Sequence, residues 1–322
     1  MKLCVFCLAF LSLLLSAAGA GAQQVKQQVK LKANLQTPLF TTYGKSLVRL
    51  KEEVERRSKN AVTIEIFDKA QLFRDEQVVG AVSSGAVDIG TTATQQFTYG
   101  APAVAIMDLP FLFNFRALNE AAASPHSEIR RLIDEEILAK LGVRVLWWQP
   151  LGDTVFYANG RDVADPERLN HQRVAVPSES LEWFISRCGG QPATFSVQKF
   201  PAAIQSRKAD MAMASLGAFQ SLGLSKVFDT ITYTAHSPLE FLLIINEKTW
   251  QSLSPRQRAI MTEAARLVEH ETRGHLSKME AQIRHIASDK GIRIQSLTPD
   301  QVAEWRACSA DMVADYMEKN GD

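Results

Sequence analysis

The stretch LNHQRVAVPSESLEWFISRCGGQPATFSVQKFPAAIQSRKADMAMAS, from Leu169 to Ser215, decides the fold. It reads as strand, helix, strand, helix, strand. The run Gln172 to Val176 ends at Pro177, which cannot donate to a central ladder. Leu181, Phe184, Ile185 and Cys188 then recur at helical spacing, up to the terminator Gly189-Gly190. A short strand around Phe195, a helix from about Gln198 to Ser206 and the run Ala209 to Ala214 complete the unit. Strands alternating with helices imply a parallel sheet, whose ligand crevice lies at the carboxyl ends of its strands. Two of those ends are Val174–Ser178 and Met213–Ser215, and a ligand is expected there.

Outward from this stretch, the bounds are broad. With 322 residues and 46% hydrophobic content, the chain can bury one large core or two moderate ones. A net charge of +1 and the lack of a basic, aromatic-rich run give no reason to expect nucleic acid. Met1-Lys2, the apolar run Leu3 to Leu15 and Ala20-Gly21-Ala22 predict a secretory signal peptide over residues 1–22, cleaved after Ala22. The apolar run is too short for a comfortable membrane span. Cys4 and Cys7 lie too early for a lipoprotein site. Beyond the cleavage point only Cys188 and Cys308 remain, and an oxidising compartment would allow them to pair.

In chain order, the pattern predicts strands at Val29–Asn34, Val62–Phe67 and Ala86–Thr91, the last carrying Asp88. It also predicts helices from about Tyr43 to Ser58, Glu76 to Ser83 and Leu118 to Leu141. Two strands, Val143–Gln149 and Thr154–Ala158, precede the opening stretch. Strands around Ile231–Tyr233 and at Phe241–Asn246 follow it, then long amphipathic helices from Ser254 to about Lys290 and from Thr298 to the end. A faint echo links Gly85-Ala86-Val87-Asp88-Ile89 to Arg207-Lys208-Ala209-Asp210-Met211, which points to two similar α/β lobes with a ligand between them.

Catalytic constellations are scarce. No GxSxG, P-loop, GxGxxG, HExxH or CxxC run occurs. His270 and His275 are five apart on a predicted helix and sit badly for a shared zinc face. Ser178, Ser180 and Ser215 have only His171 and His236 as nearby candidate bases, a weak signal for a triad. The reading is a binding protein that is not an enzyme, with no metal and no cofactor.

At this point a resemblance becomes specific. VTIEIFDKAQL at Val62–Leu72, SSGAVDIG at Ser83–Gly90, MDLPFLF at Met107–Phe113, DPERLNHQRVAVP at Asp165–Pro177 and YTAHSPLEFLLIINEKTWQSLSP at Tyr233–Pro255 occur in this order. The chain resembles the DctP-type solute-binding proteins of tripartite ATP-independent periplasmic (TRAP) transporters over nearly its whole mature length. The resemblance implies an α/β, two-lobed periplasmic binding protein fold with hinge strands and a long helix crossing both lobes. Lobe I would span 23–151 plus about 240–279, and lobe II about 152–239 plus 280–322. It also implies a monomer that closes on a small organic ligand and delivers it to small and large integral-membrane subunits. A Cys188–Cys308 disulfide is expected because the family topology returns the C-terminal helix to the second lobe.

The departures from the family pattern concern the ligand. Its usual carboxylate-binding arginine, one residue before the Val-Pro, falls on Ala175. A second frequent arginine falls on Thr154, an asparagine contact on Ala214 and an acidic contact on Ala93. The usual Gln-Leu-Gly becomes Gln71-Leu72-Phe73. Two readings of the site follow. Either Arg173 substitutes for the missing clamp, since residues two apart in a strand share a face, and the ligand is an ordinary organic acid. Or Arg173 is a solvated surface charge, and aromatic walls from Trp147 or Trp148, Trp183, Phe219 and Tyr233 hold a less polar or aromatic compound, with His236 a further candidate. A ligand-sensing receptor subunit is the alternative to transport, and a secreted hydrolase a distant third.

Overall fold

The computed structural model describes residues 28–98 and 100–321; the expected signal peptide lies outside them. The strands are β1 (Val29–Asn34), β2 (Val62–Phe67), β3 (Ile89–Ala93), β4 (Val143–Ala158), β5 (Arg173–Val176), β6 (Gln191–Thr194), β7 (Met211–Ser215), β8 (Thr230–Tyr233), β9 (Pro238–Asn246) and β10 (Arg293–Ser296). The helices are α1 (Thr42–Ser58), α2 (Asp75–Ser84), α3 (Arg116–Ala122), α4 (Glu128–Leu141), α5 (Glu179–Arg187), α6 (Phe200–Gln205), α7 (Ala218–Ser221), α8 (Glu247–Ser252), α9 (Pro255–Asp289), α10 (Pro299–Cys308) and α11 (Asp311–Asn320).

β4 organises the molecule. Its first part, from Val143 to Asp153, runs antiparallel to β9, and its last residues, Thr154 to Ala158, pair with β7 and β8. Sequence reading expects two separate strands here. The structure has one, because register shifts after Val145 and after Pro150 let a single strand turn from one sheet into the other. On one side the order is β2-β1-β3-β9-β4, with β1, β2 and β3 parallel. On the other, β6, β5 and β7 are parallel and β4 closes against β7.

The helix α9, 35 residues long, spans about 50 Å. Ser254 caps it in a reciprocal box with Gln257. Met261, Ala264, Ala265 and Val268 pack into the core of the first sheet, whereas Ile283 and Ala287 pack into the second. Met279 touches both cores. The fold is α/β and two-lobed, with the long helix crossing from one lobe to the other.

The sequence echo has a structural basis. Asp88 precedes β3 and its carboxylate accepts the backbone N–H of Lys32 in β1, at 2.8 Å. Asp210 precedes β7 and accepts the backbone N–H of Arg173 in β5, at 2.9 Å. The registers match, since Ala33 pairs with Ile89 and Val174 with Met211. Each aspartate satisfies a strand donor where the parallel ladder begins. The strand in the first half therefore starts at Ile89, with Asp88 outside it.

Two predicted helices are broken. Leu118 to Leu141 divides into α3 and α4, since Pro125 disfavours a helical residue before it and Ser127 caps the second piece by accepting from Arg130 N–H. The C-terminal helix divides at Ser309, whose hydroxyl donates to the Trp305 carbonyl at 3.0 Å. The strand expected around Phe195 lies at Gln191–Thr194, and β10 has no counterpart in the sequence reading. Cys188 and Cys308 are bonded, joining the end of α5 to the end of α10. Among the described residues no helix is long and apolar enough to cross a membrane.

Candidate functional site

Parallel strands from both lobes point their carboxyl ends into one cleft. The first lobe brings Gln36 and Thr37 from just past β1, Ala93 from the end of β3, and Gln95 and Gln96 from the turn after it. The second brings Pro177 from just past β5, and Ala214 and Ser215 from the end of β7. The connecting strands add Leu151 and Thr154 from β4, and Leu239 and Phe241 from β9. Tyr43 of α1, Asp75 at the first residue of α2, Leu181 of α5, and Val197, Gln198, Ala218, Ser221 and Leu222 complete the lining. The cavity is ≈ 60 Å³ and partly open to solvent. An apolar cavity of about 150 Å³ accepts benzene, so this conformation fits a smaller solute and a larger one needs the lobes to part.

The polar atoms differ in what they can offer. The Gln36 amide is already tied to Thr91, donating to its carbonyl and accepting from its hydroxyl at 2.6 Å. Thr37 shares a hydroxyl bond of 2.8 Å with Thr41. Tyr43 Oη and Thr154 Oγ1 are buried with no partner among the described residues, which leaves them free for a ligand's polar atoms. Burial, reinforced by the Glu240 and Asp75 carboxylates, raises the Tyr43 phenol well above its usual range, so it stays protonated. Among the described residues Asp75 is the one carboxyl group in the lining, and no arginine, lysine or histidine accompanies it. Gly217 borders this floor so closely that a Cβ there would lie 2.4 Å from Leu151 Cδ1.

The family description "bacterial extracellular solute-binding protein, family 7" (DctP) matches residues 34–320. The chain belongs to this family. The C4-dicarboxylate-binding periplasmic protein DctP of Rhodobacter capsulatus is 21% identical over 284 residues, which is 87% of this chain and 84% of that protein. An extracytoplasmic solute receptor of Bordetella pertussis that binds pyroglutamic acid superposes with a TM-score of 0.85 at 19% identity, covering 90% of this chain and 95% of the other. A TRAP solute-binding protein of Sulfurospirillum deleyianum with bound succinate gives a TM-score of 0.83 at 22% identity, covering 92% and 96%.

Against this family's pattern, the residues singled out from sequence scatter. Ala93, Thr154 and Ala214 line the cavity. Ala175 does not; it is fully buried in the second-lobe core that also contains Ala212 and Phe200. Arg173 stands at the amino end of β5, the end away from the cavity, and binds Asp210 through Nε at 3.0 Å and a terminal nitrogen at 2.8 Å. Gln71 is exposed and donates to Asp68. Neither tryptophan of β4 reaches the cleft, because both faces of that strand are covered. Trp147 joins the core under α1 and α9, while Trp148 packs toward α4 and donates to Asp134 at 2.9 Å.

The remaining aromatic candidates also lie elsewhere. Trp183 borders a separate groove with Arg187 and Lys319 near its ring. Phe219 is in the second-lobe core, and Tyr233 lies under the Arg284 guanidinium, 4.5 Å from its ring centroid. His236 stacks on Phe184 at 4.7 Å, and burial lowers its pKa to about 3, so it is a neutral core residue. Tyr43, Asp75, Gln36 and Gln95 escaped the sequence reading. The same strand-end rule, applied to β1 and β3 as it was to β5 and β7, points to Gln36 and Gln95.

Burial raises Asp75 to about 7 and Asp108, on the lobe I segment beside the separate groove, to about 8. For both, the native state keeps a proton that the unfolded chain has released above about pH 4, so stability falls as pH rises through the native values. His236 works the opposite way, with stability lost as pH falls from 6.5 toward 3. Between pH 6.5 and 8.5 the two aspartates act without that opposition. The ligand-free protein is expected to lose about 2–3 kcal/mol over this window. Urea melts at the two pH values check it, and Asp108→Asn should remove the larger part of the slope.

Proposed function

We propose that this protein is the periplasmic capture subunit of a TRAP-type transporter, holding a small organic solute between its lobes for delivery to integral-membrane partners. The observation that carries this is the cleft itself. Strand ends of two α/β lobes converge on one partly open, mostly apolar cavity at the hinge strands, and nothing in its lining resembles a catalytic pair. The ligand is a small solute that is not anchored by a guanidinium–carboxylate pair. What supports this is that among the described residues no arginine, lysine or histidine lines the cavity.

A thermal-shift screen of the mature protein against organic acids, amines, polyols and small aromatics tests this. A compound at 100 times its Kd should add about 2.7 kcal/mol to native stability. Small-angle scattering should show compaction with the same compound, since a cleft ligand is buried by approach of the lobes. The competing organic-acid reading relies on Arg173, and Arg173→Ala separates the two. Binding is expected to be unchanged, because this side chain is half-exposed and bidentate to Asp210. A collapse of carboxylate binding with the fold intact would restore the organic-acid reading.

A further inference from the structure

We infer that the cleft selects a cationic solute, a small amine whose ammonium group sits against the Asp75 carboxylate and the Tyr43–Phe241 aromatic pair. This rests on the solute-binding reading above and adds the ligand's charge to it. Asp75 is 8% exposed and lines the cavity. Thr92 donates to its Oδ1 at 2.9 Å, and no ion pair reaches the carboxylate among the described residues. The adjacent Arg74 turns away to Glu76. A carboxylate taken out of water without a counter-charge is costly, and the cost disappears when a cation arrives.

The surrounding groups agree with this sign. The other lining residues are amides, hydroxyls and hydrocarbon, so above about pH 7, where Asp75 is ionised, a bound carboxylate would meet its charge with no cation to offset the repulsion. Tyr43 and Phe241 lie ring against ring, centroids 4.4 Å apart, and both border the same cavity. Aromatic faces attract ammonium groups through their quadrupoles, most strongly when water is excluded. The small cavity favours a compact amine. Lys199 is exposed at an outer pocket that shares Asp75, Gln96, Pro177 and Val197 with the cavity. It stands at the mouth and would compete with the ligand for Asp75.

Calorimetric titration of the mature protein at pH 8 decides the matter, with ethanolamine, choline and agmatine as cationic probes, erythritol as a neutral one, and succinate and pyroglutamate as anions. At least one cationic probe is expected to bind. Asp75→Asn, with circular dichroism confirming the fold, should weaken it at least 30-fold, while Lys199→Ala leaves it equal or tighter. Binding confined to erythritol or the anions overturns the cationic assignment and leaves the solute-binding role standing. Cation binding that survives Asp75→Asn also overturns it. A protein that takes none of the six probes overturns the assignment and the cleft reading together.

Discussion

Replacing both cysteines of the Cys188–Cys308 bridge with alanine is expected to lower stability by about 2–5 kcal/mol. The bond spans a sequence separation of 120, and closing a loop of about 100 residues corresponds to an entropic term of about 4.7 kcal/mol in the unfolded chain. What it holds explains why the loss should be felt locally. α10 and α11 follow the long helix and join the second lobe through few buried groups, chiefly Trp305 and Met312, in the core that contains Cys188. Trp305 stacks near Phe184 and Phe156 and donates to the Ala164 carbonyl at 3.1 Å. Without the bridge the terminal pair of helices should exchange its amides first. Urea unfolding of the oxidised protein and the double variant measures the effect. A difference below about 1 kcal/mol would show that the packing of Trp305 suffices alone.

Arg130→Ala should cost about 3–5 kcal/mol, the usual penalty for breaking one side of a buried ion pair. Arg130 is 7% exposed on α4 and Glu269 is 2% exposed on α9. They form a two-pronged pair, one prong at 3.2 Å, and Arg130 also donates to the Ala123 carbonyl at 3.0 Å. Arg273, one turn along α9, donates to Glu240 at 3.3 Å and to the Trp148 carbonyl at 3.3 Å, and Asn119 donates to Glu240 at 3.1 Å. Two arginines and two glutamates thereby lock the long helix to the first lobe while its far half packs on the second. Removing Arg130 leaves Glu269 buried with, among the described residues, only the longer contacts from Arg273 Nε and one terminal nitrogen, both at 3.5 Å. Adding Glu269→Leu should recover much of the loss, because the stranded charge goes with it. If the double variant is no more stable than Arg130→Ala alone, the stranded charge is not the cause.

Local pattern carried far in this protein. The alternation of strands and helices from Leu169 to Ser215, the punctuation by Pro177 and Gly189-Gly190, and the period-two run Val62–Phe67 are decided by near neighbours, and the elements form in that order, with only the strand expected around Phe195 displaced to Gln191–Thr194. The aspartate echo was legible for the same reason. One short-range rule, a carboxylate ahead of a parallel strand capping the adjacent strand, operates once in each lobe. The carboxyl-end rule then placed two stretches of the cavity wall, at Pro177 and at Ala214-Ser215.

The rest depended on partners distant in sequence. Whether Trp147 or Trp148 faces a cleft depends on which helices cover β4, and α1, α4 and α9 come from both sides of it in the chain. Arg173 looks like a free clamp until Asp210, thirty-seven residues on, is seen to hold it at the wrong end of its strand. Asp75 falls just ahead of the helix expected from Glu76 and looks like an ordinary acid at a helix amino end, which favours one. Only the closing of two lobes around it removes its water and supplies no counter-charge. The sequence by itself therefore determined the α/β lobes, their order and the strand ends where a ligand would meet them, because backbone propensity and periodicity are local. The tertiary structure decided which further side chains complete the cavity and what charge they present, because burial is set by what the other lobe brings.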